Sequence, residues 1–72
     1  MPTLSIPKQY QRTGAVRARY IDGWKDALVG RKHAYATGKA ADIFYLENGP
    51  LQLESYTAGY EAAVSAMSDN AG

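Results

Sequence analysis

The chain has 72 residues, no cysteine and a formal net charge of +1, and 46% of its residues are hydrophobic. One domain of this size buries only about 60% of the surface of its unfolded chain, so its core must be small. Without cysteine the chain can form neither a disulfide nor a thiolate metal site, and one histidine, His33, does not make a zinc site. We therefore expect no metal and no cofactor.

The net charge conceals a strong asymmetry. Residues 1–39 contain eight basic and two acidic residues, whereas residues 40–72 contain five acidic residues and no basic one. The two halves can neutralise each other across the fold. Alternatively, the basic half is a contact surface for nucleic acid or for an acidic protein surface. Composition leaves both interpretations open.

Residues 1–12 have few periodic apolar side chains and contain Pro2 and Pro7, which predicts a flexible basic arm. The arm carries Tyr10 and Arg12, which either become ordered on a partner or have no role. The arm lacks the apolar core of a signal peptide, and no run of the chain approaches the length of a membrane span. We expect a cytoplasmic protein, in the host cytoplasm if a phage encodes it.

The helical domain is predicted over residues 13–67, as an all-α, three-helix bundle. The first helix begins with Thr13 as its N-cap and covers residues 13–29, and Gly30 is suited to a left-handed C-terminal cap. A second helix is predicted over residues 32–46. Within it, the run Ile43–Leu46 is also compatible with a short strand.

A boundary follows at Asn48-Gly49-Pro50, because Gly49 can end one helix and Pro50 can begin the next. The third helix covers residues 50–67, and residues 68–72 are predicted to be a flexible tail. On this helix Tyr56, Tyr60 and other apolar residues form one stripe, and the acidic residues lie on the opposite side.

A pattern of aromatic-x-x-Gly-aromatic-x-x-Ala occurs twice, at residues 20–27 and again at residues 56–63. A shorter copy is Tyr35-x-x-Gly38. Glycine inside a helix costs about 1 kcal/mol relative to alanine, and close approach of another helix is the natural reason for it. We therefore predict helix crossings at Gly23, Gly38 and Gly59.

This pattern resembles ribosome modulation factor and similar short phage proteins, over roughly residues 19–64. The residues that carry the resemblance are Tyr35 and Gly38 (or Tyr20 and Gly23), Pro50, Tyr56, Gly59, Tyr60 and Ala63. The resemblance implies two helices joined by a linker, binding to ribosomal RNA near the decoding region, and silencing of translation. Two features differ: the basic character is confined to one half, and the connection here is Asn48-Gly49-Pro50-Leu51.

No phosphate-binding loop, nucleophile elbow or paired-carboxylate motif occurs, so we do not expect an enzyme or a small-molecule substrate. The favoured hypothesis is a small regulator, of the kind that phages encode, that binds an acidic surface of a large host complex. RNA polymerase is the favoured partner. One alternative is a ribosome-binding or RNA-binding translation modulator, and another is a structural homodimer that buries Ile43–Leu46. The predicted contact residues are Tyr10, Arg12, Arg17, Arg19, Lys25, Arg31 and Lys32.

Overall fold

The computed structural model describes residues 3–35 and 40–71, and in these ranges the regular structure is entirely helical. The all-α prediction with three helices is therefore confirmed. Two of the helices are long and one is short. The elements are a 3-10 turn at Lys8–Tyr10, α1 at Gly14–Leu28, α2 at Ala40–Phe44 and α3 at Gly49–Ala71.

Helix α1 begins and ends within one residue of its predicted bounds. The Thr13 hydroxyl accepts a hydrogen bond from the Val16 amide at 3.2 Å, which satisfies one of the free N–H groups of the first turn. At the other end Gly30 has a φ of +77°, and its amide donates to the Ala27 carbonyl at 3.1 Å. Both predicted caps of α1 are confirmed.

The second helix does not cover the whole of the predicted range 32–46, because residues 32–35 and 45–46 are not helical. Residues 31–35 are irregular or in a turn, because side chains satisfy their backbone amides outside a helix. The Ala34 amide donates to the Tyr56 hydroxyl at 3.1 Å, and the Tyr35 amide donates to Nδ1 of His33 at 3.2 Å. The crossing predicted at Gly38 lies outside the described residues. The strand alternative for Ile43–Leu46 is wrong, because α2 ends at Phe44 and a turn follows.

Helix α3 begins one residue before its predicted start, directly after the turn that follows α2. Asn48 adopts a left-handed φ of 57°, which asparagine tolerates better than most residues. A Cβ on Gly49 would lie 2.1 Å from the Ile43 carbonyl oxygen, so only glycine fits against the end of α2. Helix α3 is assigned through Ala71, four residues beyond the predicted end at Met67.

Helices α1 and α3 run parallel, and the two copies of the repeat contact each other reciprocally. A Cβ on Gly23 would lie 2.1 Å from the Tyr56 carbonyl oxygen, and a Cβ on Gly59 would lie 2.1 Å from the Tyr20 carbonyl oxygen. Each glycine thus admits the backbone of the tyrosine that begins the other copy. The crossings predicted at Gly23 and Gly59 are confirmed, and they form a single crossing.

Candidate partner-binding surface

One side of the α1–α3 pair, which we call the apolar side, is covered by the segment before α1. Tyr10, Val16 and Tyr20 form a buried cluster here, and the rings of Tyr10 and Tyr20 stack with centroids 5.6 Å apart. The Tyr10 hydroxyl donates to Glu54 on α3 at 3.0 Å. Burial, and then this hydrogen bond to a carboxylate, raise the pKa of Tyr10 above its ordinary value.

The opposite side, which we call the polar side, is covered by residues 31–35. The buried Tyr56 hydroxyl donates to Asp26 and accepts from the Ala34 amide. His33 Nε2 lies 2.8 Å from the Thr57 hydroxyl. Because Nδ1 of His33 accepts the Tyr35 amide, Nε2 carries the proton in the neutral ring and donates to Thr57. Burial, and then the hydrogen bond to Asp26, raise the pKa of Tyr56 to about 12.

Arg19 extends this polar side toward the start of α3. Its Nε donates to Gln52 at 3.0 Å and a terminal nitrogen donates to the Tyr35 hydroxyl at 2.7 Å. The guanidinium carbon also lies 5.6 Å from the centre of the Tyr35 ring, within the range of a cation–π contact. Arg19 therefore links residues 31–35, which we call the connector, to both long helices.

The seven predicted contact residues do not share one surface. Tyr10 is only 7% exposed, so its assignment to a partner-binding arm is corrected to a core position. Arg19 is half-buried, and its guanidinium already forms hydrogen bonds within the fold. Arg31 is exposed but lies 3.9 Å from Asp26. The remaining members, which we call the exposed cations, are Arg12, Arg17, Lys25 and Lys32.

Helical geometry explains why Arg17 and Arg19 separate. Two residues advance about 200° around a helix, so these side chains lie on opposite flanks of α1. Eight residues advance about 800°, which leaves Lys25 only about 80° from Arg17 on the outward side. Arg17 and Lys25 therefore lie close enough in direction to contact one partner surface together.

A second exposed feature is an apolar cluster at the end of α2, which the sequence analysis predicted only as a homodimer contact. Phe44, Tyr45 and Leu46 are 52%, 85% and 51% exposed, and we call them the aromatic edge. The sequence signal for it is an apolar run placed directly before the Asn48-Gly49 turn. A groove of about 350 Å³ separates Leu46 from the start of α1. Its lining residues are Thr13, Ala15, Leu46, Glu47, Asn48 and Gln52.

The part of the chain that the structure describes contains no group of three or more histidine or acidic side chains placed to hold a metal ion. Within the same part, none of the helices is long and apolar enough to span a bilayer. Comparison with protein-family models, curated proteins and solved structures found no match to this chain.

Proposed function

We propose that the protein is a small, non-enzymatic regulator that binds an acidic surface of a large macromolecular complex through the exposed cations. The observation that supports this proposal is the placement of Arg17 and Lys25 on the outward side of α1. Among the described residues, Arg31 forms an ion pair with Asp26, whereas neither Arg17 nor Lys25 forms an ion pair with a carboxylate. Cations placed in this way accelerate and orient association with an acidic partner.

RNA polymerase is the first partner that we propose, because it combines acidic protein surface with a role worth regulating. Charge favours a protein over a nucleic acid. Helix α3 carries the exposed residues Glu54 and Glu61 and has no basic residue, so this face would repel phosphates. The net charge of +1 is small for a protein that binds through phosphate contacts alone.

Binding to the ribosome or to ribosomal RNA is the second proposal, because the exposed cations are also suited to contacts with phosphate groups. The described residues behind the resemblance to ribosome modulation factor include Tyr20, Gly23, Tyr56 and Gly59. These residues form the helix crossing, so packing accounts for this part of the pattern. The resemblance is therefore consistent with a shared core and carries little weight for RNA contact, which is why this function ranks second.

The test compares binding of the full chain to purified bacterial RNA polymerase and to purified ribosomes, each with and without nuclease. In one variant the exposed cations become glutamine, as Arg12→Gln, Arg17→Gln, Lys25→Gln and Lys32→Gln. A matched control exchanges Arg for Lys and Lys for Arg at the same positions, which keeps the charge. We expect the glutamine variant to bind RNA polymerase at least about tenfold more weakly, or about 1.4 kcal/mol, and the control to bind normally.

The outcomes separate the two proposals. Nuclease-resistant binding to RNA polymerase supports the first, whereas co-sedimentation with ribosomes that weakens steeply with salt supports the second. If the native chain binds neither complex, or if the glutamine variant binds as well as the native chain, the proposed use of the exposed cations is wrong.

A further inference from the structure

The aromatic edge is a cluster of neighbouring apolar side chains that the fold leaves in solvent. The rings of Phe44 and Tyr45 meet edge to face, with centroids 5.4 Å apart. By contrast, the other aromatic side chains that the structure describes are buried or half-buried. Single exposed apolar residues need no explanation, but a contiguous group is typical of a contact surface.

The turn that carries the aromatic edge is fixed by a buried side chain and by hydrogen bonds. Ile43, immediately before the edge, is only 5% exposed and fixes the end of α2 in the core. The Leu46 amide donates to the Ile43 carbonyl at 3.0 Å, and the Gln52 side chain donates to the Glu47 carbonyl at 2.8 Å. Gly49 packs closely against the carbonyls of Ile43 and Phe44. The edge is therefore ordered before any partner binds, which lowers the entropic cost of binding.

Acidic residues adjoin the aromatic edge along the chain. Asp42 precedes it and Glu47 follows it, both are exposed, and residues 40–72 contain no lysine or arginine. Asp42 lies about 200° from Phe44 around α2, whereas Glu47 lines the groove beside Leu46. Glu47 therefore places a carboxylate next to the edge, where it would repel the phosphate groups of a nucleic acid.

A second copy of the chain fits the edge poorly. A two-fold dimer brings the same patch of both subunits together, so the acidic residues next to the two copies of the edge would also come together. Like charge therefore disfavours the homodimer.

We propose that the aromatic edge is a docking site for a protein partner with an apolar pocket rimmed by lysine or arginine. Phe44 and Tyr45 enter the pocket as anchors, and Glu47 pairs with its rim. Aromatic anchors in desolvated pockets commonly supply most of the energy of such contacts. This inference does not rest on the exposed cations and concerns a different part of the molecule.

The test uses the full chain labelled with ¹⁵N and a synthetic amphipathic helical peptide of leucine and lysine as the probe. A matched peptide of leucine and glutamate has the same apolar face with the opposite charge. We expect the leucine–lysine peptide to shift the amide resonances of residues 42–47 and the leucine–glutamate peptide to leave them unchanged. The double variant Phe44→Ser with Tyr45→Ser should weaken this binding at least about tenfold.

Two further variants test the role of the charge next to the edge. Glu47→Gln should weaken binding several-fold, whereas Glu61→Gln, which removes an exposed charge from α3, should not. Arg17→Gln with Lys25→Gln should also leave peptide binding unchanged, so this test can succeed even if the proposed function fails. Three results would overturn the proposal. The first is equal binding of both peptides, and the second is a set of shifts centred away from residues 42–47. The third is a shift at residues 44–46 that grows with protein concentration in the absence of peptide.

Discussion

The two sides of the α1–α3 pair are built from the same repeat but have different chemistry. On the apolar side Tyr20 packs beneath Tyr10, which comes from the segment before α1. On the polar side its counterpart, Tyr56, packs beneath His33 and Tyr35 from the connector and binds Asp26. The repeat therefore determines how the two helices meet, and the non-repeated segments determine what each side becomes.

The polar side is a part-buried hydrogen-bond network. The part of the chain with described side chains contains no buried polar side-chain atom that lacks a hydrogen-bond partner. Tyr56, His33 and Arg19 all have partners within the fold. These hydrogen bonds attach residues 31–35 to the helix pair.

Substitutions at the helix crossing, which both sides share, should reduce the stability of the fold more than substitutions elsewhere. Gly59→Ala would place a Cβ 2.1 Å from the Tyr20 carbonyl oxygen, a backbone atom that moves only if the helices separate. We expect a loss of roughly 3 kcal/mol or more in the free energy of unfolding, measured by chemical denaturation. Gly23→Ala should have the same effect, because its contact with Tyr56 is the reciprocal one.

The matched control for the crossing is Gly14→Ala. A Cβ at Gly14 would have no atom within 4 Å, so the free energy of unfolding should change by less than about 1 kcal/mol. If Gly59→Ala were tolerated as well as Gly14→Ala, the reciprocal contact between the two copies of the repeat would be refuted.

Alkaline pH should weaken the polar side most. The pKa of Tyr56 is raised to about 12 in the folded protein, whereas an unfolded tyrosine titrates near 10. Between these values the unfolded chain loses the proton and the folded chain keeps it. The stabilisation is therefore complete below about pH 10 and is lost as the pH rises toward about 12, by an amount on the order of 2–3 kcal/mol.

Thermal unfolding measured as a function of pH, with tyrosinate absorbance followed in parallel, tests this expectation. The pKa values of Tyr10 and Tyr20 are raised in the same direction, so the native chain should lose stability through more than one tyrosine. Tyr56→Phe should make the decline above pH 10 distinctly shallower. An unchanged pH dependence in that variant would contradict the assigned role of Tyr56.

The smallest expected effect is a difference in stability between removing the Tyr56 hydroxyl and removing the Tyr20 hydroxyl. Tyr56→Phe leaves the Asp26 carboxylate and the Ala34 amide without the hydroxyl, and should cost about 1–3 kcal/mol at neutral pH. The Tyr20 hydroxyl makes no hydrogen bond with the described residues, so Tyr20→Phe should change stability by about 0.5 kcal/mol or less. Equal losses measured by denaturation would show that the two sides do not differ as the contacts indicate.

Helices α1 and α3 could be predicted because their signals are local. Thr13 and Gly30 are capping residues adjacent to the ends of α1, and the repeated glycines marked the crossing through their cost inside a helix. The irregular conformation of residues 31–35 could not be predicted in this way. Residues 31–35 have helical propensity, but they are held outside a helix by His33 and by Tyr56, which lies more than twenty residues away in the chain.

The sequence by itself determined the helical class, the two long helices, the crossing glycines and the separation of charge between the halves. These follow from periodicity, capping and steric cost, which act over a few residues. Only the tertiary structure decided that Tyr10 is a core residue, that Arg19 serves the fold, and that Phe44, Tyr45 and Leu46 stay in solvent. The reason is that each of these outcomes depends on which distant segment covers which side of the same helix pair.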